Sequence, residues 1–232
     1  MPASPTPELK SKAIRLILLN AVSIPLLVFL PAQTLDYWQG WAFVAMSVTL
    51  PVSTILYFYK RDPEALARRF LRREKLGPQK VIIFFVKVAY VAGMVLAGLD
   101  YCSGWTHVRF GPVPWWLSVA ALAVIVASHI WFIYVLRANP FAAVIIQTET
   151  SQTISAVGPY RIIRHPMYLG MILGWLAAPL ALGSLVALPI FALIIPIFTW
   201  RLLHEEKFLR RELPGYADYC RQTPWRLIPY IW

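Results

Sequence analysis

The chain has 232 residues, of which 59% are hydrophobic and only 14% are charged, and its mean hydropathy is +0.59. Soluble domains carry about 25% charged residues, so this composition excludes an ordinary soluble protein and indicates an integral membrane protein. The formal net charge is +11. Because the basic residues cluster beside apolar segments, the charge favours contact with a membrane surface over binding of nucleic acid.

The hydropathy pattern predicts an all-α fold with about six transmembrane helices. A span needs about 20 apolar residues, and such runs lie at 13–31, 38–59, 81–100, 114–136, 166–182 and 184–203. Only Gly183 and Ser184 separate the last two runs, which we therefore expect to form a tight helical hairpin. The first arm of this hairpin is short, so the segment could be tilted, buried or re-entrant.

Charge placement predicts the orientation of the chain, since Lys and Arg near span ends prefer the cytoplasmic side. Basic clusters precede the first span, fill the loop at 60–80 and recur in the C-terminal tail, whereas the opposite side receives Arg109. Six crossings with both termini cytoplasmic satisfy this distribution. On the opposite side we expect interfacial aromatic anchors, namely Tyr37, Trp38, Trp41, Trp105, Trp115 and Trp116. Cys102 and Cys220 fall on opposite faces, which excludes a disulfide between them.

The chain divides into two functional halves within one membrane domain. Residues 1–138 hold the first transmembrane helices and the basic cytosolic loop at 60–80, and residues 139–232 form a motif-dense half. The loop "KRDPEALARRFLRREKLGPQK" is interpreted as a topology-setting loop or as an amphipathic interfacial helix with Leu66, Phe70 and Leu71 facing lipid. Lys87 is placed where it could snorkel to the cytoplasmic surface. His129, deep in the fourth span, is either functional or a neutral imidazole bonded to a neighbouring helix.

The stretch "RHPMY" places nitrogen-rich side chains at the entrance of an apolar helix. Proline is tolerated in the first turn of a helix, so Pro166 predicts a helix start with Arg164 and His165 just before it and Tyr168 in its first turn. Helix N-termini favour anions, and guanidinium groups suit carboxylates or phosphates. The sequence therefore predicts a site for an anionic group here.

A complementary acidic segment, "HEE", lies at the other end of the predicted hairpin. Since the hairpin brings its two ends to one surface, Glu205 and Glu206 should face the "RHPMY" donors, with Arg201 one turn away. A ligand that suits this pair carries both an anion and a cation. S-adenosylmethionine has a carboxylate, an ammonium and a sulfonium, and methyl transfer mainly requires alignment and exclusion of water. The alternative is that these residues are headgroup anchors and a surface ion pair.

Several blocks together resemble a known family. "GPYRIIRHPMYLG", then "HEEKFL", "YADYC" and "RLIP", are similar to the isoprenylcysteine carboxyl methyltransferase family, and "RDPEALARR" resembles a loop of its bacterial members. The resemblance covers about 139–229. It implies a polytopic membrane enzyme that binds S-adenosylmethionine at the cytosolic face, takes a lipophilic or lipidated acceptor from the bilayer, and lies in a bacterial inner membrane.

The resemblance also assigns roles to individual residues. It implies a cofactor pocket formed by Tyr160, Arg164, His165, Pro166, Tyr168, Glu205 and Glu206. Arg201, Glu205 and Arg226 are the predicted catalytic residues, with Arg201 or Arg226 orienting an acceptor that could be a carboxylate. No metal site is predicted.

Two other functions remain open at this point. "YCRQTPWRLIPYIW" resembles the C-terminal end of membrane sterol reductases, which bind NADPH, so an NADPH-dependent reductase is the second enzymatic hypothesis. A membrane scaffold or small transporter is the third. A transporter would be expected to place polar groups near the middle of the membrane, whereas the polar residues here gather at one surface, with His129 as the main exception.

Overall fold

The computed structural model describes residues 7–71, 77–139, 154 and 156–232. Ten α-helices and one 3-10 helix occur in these residues, in agreement with the predicted all-α class. The helices are α1 (Pro7–Ala32), α2 (Trp38–Arg61), α3 (Pro63–Leu71), α4 (Gly77–Ser103), α5 (Trp105–Phe110), α6 (Trp115–Ala138), α7 (Pro166–Ala181), α8 (Leu188–Ala192), α9 (Ile194–Glu212) and α10 (Tyr216–Gln222), with the 3-10 helix at Gly158–Arg161.

Five helical segments of the described chain are long and apolar enough to cross a membrane. These are α1, α2, the 79–103 part of α4, α6, and the segment that joins α8 to α9 over 188–212. The remaining predicted span, at 166–182, is α7, which has only 16 residues. At 1.5 Å per residue it is about 24 Å long, which is shorter than the bilayer core of about 30 Å. Much of α7 is buried in protein, as expected for the short arm of the hairpin.

The predicted turn between the last two apolar segments lies at the end of α7 and is held by buried polar contacts. Gly183 has φ +70°, and the Tyr37 hydroxyl donates to the Leu182 carbonyl at 2.5 Å. The Ser184 hydroxyl donates to the Asp100 carboxylate at 2.5 Å, and the Thr106 amide donates to the same carboxylate at 2.7 Å. Asp100 is buried, so this carboxylate ties α4, α5 and the hairpin turn together.

The prediction of Tyr37 as an interfacial anchor was wrong, and so was the position of Leu66 in the amphipathic-helix interpretation of the basic loop. Tyr37 is only 1% exposed, because its ring packs against the ring of Phe29 in the protein core; it is not a surface anchor. Leu66 in α3 is 2% exposed and belongs to a buried cluster with Leu9 of α1; the side chains of Phe70 and Leu71 lie outside those that the structure describes. The inner face of α3 therefore packs on protein instead of lipid. Trp38, Trp41, Trp105, Trp115 and Trp116 are all exposed, as expected for interfacial aromatic residues.

Glycines allow the helices of the bundle to approach closely. A Cβ atom at Gly170 of α7 would lie 2.8 Å from Trp131 Cδ1 of α6, and one at Gly98 of α4 would lie 2.6 Å from the Val28 carbonyl oxygen of α1. A Cβ atom at Gly174 would meet Ser128 Cβ at 3.5 Å, an ordinary contact. Small residues at helix interfaces in lipid commonly serve this packing.

We expect Gly98→Ala to destabilise the protein by about 1–3 kcal/mol, since the new methyl group meets backbone of α1 that cannot move aside. Gly174→Ala is the matched control. It places the same residue in a helix with room to spare, and Ala is the better helix former, so its midpoint should equal or exceed that of the wild type. Thermal unfolding of both variants in detergent checks this pair, and equal midpoints would show that the α1–α4 contact is not tight.

Candidate active site

The "RHPMY" stretch adopts the geometry that its proline predicts. Helix α7 begins at Pro166, with His165 as its N-cap residue. The indole nitrogen of Trp131 in α6 donates to the Pro166 carbonyl at 2.8 Å, and this bond fixes the start of α7 against the neighbouring helix. Arg164, His165 and Tyr168 are all buried, so their side chains point into the protein instead of into solvent or lipid headgroups.

Glu206 of α9 contacts three basic side chains. Arg164 Nε lies 2.7 Å from Glu206 Oε1, and His165 Nε2 lies 3.2 Å from the same oxygen. Arg226 Nε, from the tail, lies 3.2 Å from Glu206 Oε2. The Arg164 and Glu206 side chains are each 5% exposed, whereas Arg226 is 30% exposed. The predicted meeting of the "RHPMY" donors with the "HEE" acids is therefore present, and its buried centre is Glu206.

The C-terminal tail docks onto the same cluster through backbone contacts. Arg164 Nη1 donates to the carbonyl oxygens of Thr223 and Pro224, both at 2.9 Å. The backbone amides of Arg164 and His165 donate to the carbonyls of Trp225 and Arg226 at 2.9 and 3.0 Å. Arg164 thus holds Glu206 with one side of its guanidinium and the tail with another, and the tail brings Arg226 to Glu206.

Glu205 belongs to a second chain of hydrogen bonds. The Tyr168 hydroxyl donates to Glu205 Oε2 at 2.6 Å and accepts from Arg201 Nε at 2.9 Å. Arg201 is 3% exposed, whereas Glu205 is half-buried. Arg201 and Glu205 are therefore joined through the Tyr168 hydroxyl and do not form a simple surface ion pair. We refer to Arg164, His165, Tyr168, Arg201, Glu205, Glu206 and Arg226 together as the cluster. Of its charged side chains, Glu205 and Arg226 are the ones that remain accessible to solvent.

Tyr160 is held by residues that sequence analysis did not assign to the site. The Tyr219 hydroxyl of α10 donates to the Tyr160 carbonyl at 2.8 Å. Burial raises the pKa of the phenols of Tyr219 and Tyr216, so both stay protonated and Tyr219 keeps its donor. The signal was present in "YADYC", where two aromatic residues three positions apart share one helix face, and this face packs on Leu213.

His129 lies apart from this cluster, in the middle of α6. Its Nε2 atom is 3.0 Å from the Thr54 hydroxyl and 3.3 Å from the Ser53 hydroxyl of α2. The expectation of an imidazole bonded to a neighbouring helix is thus confirmed. Cys102 and Cys220 are both free, in agreement with the predicted absence of a disulfide between them.

Comparisons with known proteins show similarity to membrane methyltransferases. The phospholipid methyltransferase family matches residues 113–214. Protein-S-isoprenylcysteine O-methyltransferase B of Arabidopsis thaliana is 24% identical over 158 residues, which are 64% of this chain and 79% of that protein. The structure of a eukaryotic intramembrane Ras methyltransferase, ICMT, superimposes with a TM-score of 0.61 at 18% identity and covers 93% of this chain and 73% of that chain.

These matches support an ICMT-like family. The all-helical fold agrees with this similarity. Two further relatives have names that do not refer to methyl transfer. The cobalt-zinc-cadmium resistance protein CzcN of Cupriavidus metallidurans is 25% identical over 70% of this chain and 68% of its own length. The mouse Delta(14)-sterol reductase TM7SF2 is 33% identical, but over only 38% of this chain and 22% of the reductase.

Proposed function

We propose that this ICMT-like protein transfers a methyl group from S-adenosylmethionine to a lipophilic acceptor at the cytosolic face of the membrane. The observation that carries the proposal is the pairing of "RHPMY" with Glu205 and Glu206 at one end of the bundle. The fold and the methyltransferase homology agree with it. S-adenosylmethionine would supply an electrophilic methyl group, so the chain itself needs no nucleophilic side chain.

The accessible residues of the cluster have charges that suit the charged groups of this cofactor. Glu205 is accessible, carries a negative charge and has one oxygen occupied by Tyr168, so it suits the cofactor's ammonium group. Arg226 is accessible and lies 5.2 Å from the centre of the Trp232 ring, so it suits a carboxylate of the cofactor or of the acceptor.

The buried residues of the cluster hold the walls of the proposed pocket in position. Arg164, His165 and Glu206 fix the tail beside the start of α7, and Arg201 holds the Tyr168 hydroxyl that orients Glu205. Tyr160 and Pro166 complete the proposed pocket through their backbone contacts with α10 and α6. Methyl transfer from a sulfonium requires exclusion of water and fixed alignment. A pocket whose wall residues are held by hydrogen bonds supplies both.

Isothermal titration of the detergent-purified chain tests the proposal directly. We expect S-adenosylhomocysteine, the product form of the cofactor, to bind saturably, and NADPH to give no heat of binding. The sterol reductase match and the shared tail sequence make an NADPH-dependent reductase the second candidate. Binding of NADPH alone would establish the reductase, and binding of neither would leave the cluster with a purely structural role.

The same proposal includes the location of the site. By the positive-inside rule, the basic residues near the span ends support a cytoplasmic position of both chain termini and of the cluster. The resemblance of "RDPEALARR" to a loop of bacterial family members supports a bacterial inner membrane. The cofactor would then enter from the cytosol, and the acceptor would enter sideways from lipid.

A further inference from the structure

A closed loop of the tail, residues 226–232, lies beside the cluster. Three consecutive backbone amides, those of residues 226–228, donate to the Trp232 carbonyl oxygen at 2.8, 3.0 and 3.3 Å. The Trp232 amide in turn donates to the Ile228 carbonyl oxygen at 3.1 Å. These hydrogen bonds fold the chain back on itself and place the Trp232 side chain next to that of Arg226.

The loop is fixed to the protein by apolar side chains. Leu227 is buried in the apolar core that also contains Tyr168 of α7 and Leu202 of α9. The Trp232 side chain packs against the same core. Both contacts hold the loop against the helices that carry the cluster, so the position of the Trp232 ring is fixed relative to the cluster.

Arg226 is restrained by three contacts. Its carbonyl oxygen accepts from the His165 amide at 3.0 Å, and its Nε atom lies 3.2 Å from Glu206 Oε2. Its guanidinium carbon lies over the Trp232 ring, 5.2 Å from the ring centre, within the distance of about 6 Å at which cations are attracted to aromatic rings. In the described part of the chain, neither Nη atom of Arg226 has a hydrogen-bond partner. Both Nη groups of this half-buried side chain therefore remain available to a ligand.

The other arginines of the cluster do not have this freedom. Arg164 and Arg201 are both buried and donate to groups of the protein. The amino-acid end of S-adenosylmethionine carries an ammonium and a carboxylate on the same carbon atom. Glu205, which suits the ammonium, and Arg226 are the accessible charges of opposite sign in the cluster. A planar guanidinium matches the two oxygens of a carboxylate, so Arg226 suits the carboxylate of that end.

We propose that Trp232 is a positioning residue, whose ring holds the Arg226 guanidinium with both Nη groups toward the carboxylate of the cofactor's amino-acid end. The inference rests on the proposed function and specifies which part of the cofactor Arg226 binds. An arginine side chain is flexible, and binding is weakened by the entropy lost when such a side chain is immobilised. A guanidinium already held by Trp232 and Glu206 loses less entropy. Trp232 thus acts through Arg226 without contact with the ligand.

Isothermal titration of the full chain in detergent tests the proposal with two probes, S-adenosylhomocysteine and methylthioadenosine, of which the second lacks the amino-acid end. We expect Trp232→Leu to weaken binding of S-adenosylhomocysteine about three- to thirty-fold, as for loss of a partly desolvated cation–π contact. Binding of methylthioadenosine should stay unchanged. Trp232→Phe keeps an aromatic face and should have a smaller effect. Arg226→Met should weaken S-adenosylhomocysteine binding about ten-fold or more, and adding Trp232→Leu to it should cause no further loss, because the ring then has no cation to hold.

Trp225→Leu is the matched control, because it makes the same change in the tail at a ring that contacts Tyr230; it should bind both probes as the wild type does. Equal weakening of both probes in Trp232→Leu and in Trp232→Phe would show a purely structural role, and a further loss in the double variant would show that Trp232 acts independently of Arg226. Either result, or wild-type affinity of Trp232→Leu for S-adenosylhomocysteine, would overturn this inference alone. Failure of the wild type to bind either probe would overturn the proposed function as well.

Discussion

Glu205→Gln is expected to weaken binding of S-adenosylhomocysteine by about 10- to 100-fold, the equivalent of losing one charge-assisted hydrogen bond of about 1.5–3 kcal/mol. The substitution keeps the size of the side chain and an oxygen that can accept from the Tyr168 hydroxyl. It removes only the charge that would pair with the ammonium group of the cofactor. Isothermal titration at constant ionic strength measures the change.

The control for this variant is Glu212→Gln, which makes the same chemical change on the same helix at an exposed position. Its affinity should match that of the wild type, since surface charges contribute little over such distances. If Glu205→Gln bound S-adenosylhomocysteine as tightly as Glu212→Gln, the cofactor's ammonium group would not lie at Glu205, and the proposed pocket would be wrong.

Arg164→Met should destabilise the protein by about 3–5 kcal/mol, the usual cost of removing one partner from a buried ion pair. It leaves Glu206 short of its closest cation and leaves the carbonyls of Thr223 and Pro224 without their donor. The loss should be largest in the tail, so hydrogen exchange at 223–232 should increase together with a lower thermal midpoint in detergent.

Arg161→Met is the control for Arg164→Met, because Arg161 lies three residues earlier and is exposed. Its stability should stay within about 0.5 kcal/mol of the wild type, as is usual for surface positions. Arg164→Lys should fall between the two, since lysine keeps the charge but lacks the planar fork that reaches Glu206 and the tail at once. Equal exchange of the tail in Arg161→Met and Arg164→Met would show that Arg164 does not hold it.

Glu205 and Arg164 differ in exposure, so their variants should have different effects on affinity and stability. Glu205 is accessible and should act on affinity with little change in stability, whereas Arg164 is buried and should act on stability and, through the tail, on affinity. A titration of Arg164→Met alone could not distinguish loss of a ligand contact from loss of the pocket wall. Comparing its thermal midpoint with that of Glu205→Gln makes the distinction.

Much of the architecture follows from the sequence, because hydropathy and proline placement act locally. The apolar runs at 13–31, 38–59, 81–100 and 114–136 became α1, α2, α4 and α6, and Pro166 marked the first residue of α7. The hairpin turn at Gly183 was enough to predict that "RHPMY" and "HEE" would meet. Charge patterning gave the predicted orientation by the same kind of local argument.

Only the tertiary structure determined which of the two glutamates, Glu205 or Glu206, pairs with Arg164. Neighbouring residues on a helix point about 100° apart, so Glu205 and Glu206 cannot both face Arg164, and the rotation of α9 determines that Glu206 does. Rotation and packing likewise buried Tyr37 and Leu66 and brought the tail onto Arg164. Sequence establishes which segments are helical and apolar, but the direction in which each side chain points depends on how all the helices pack.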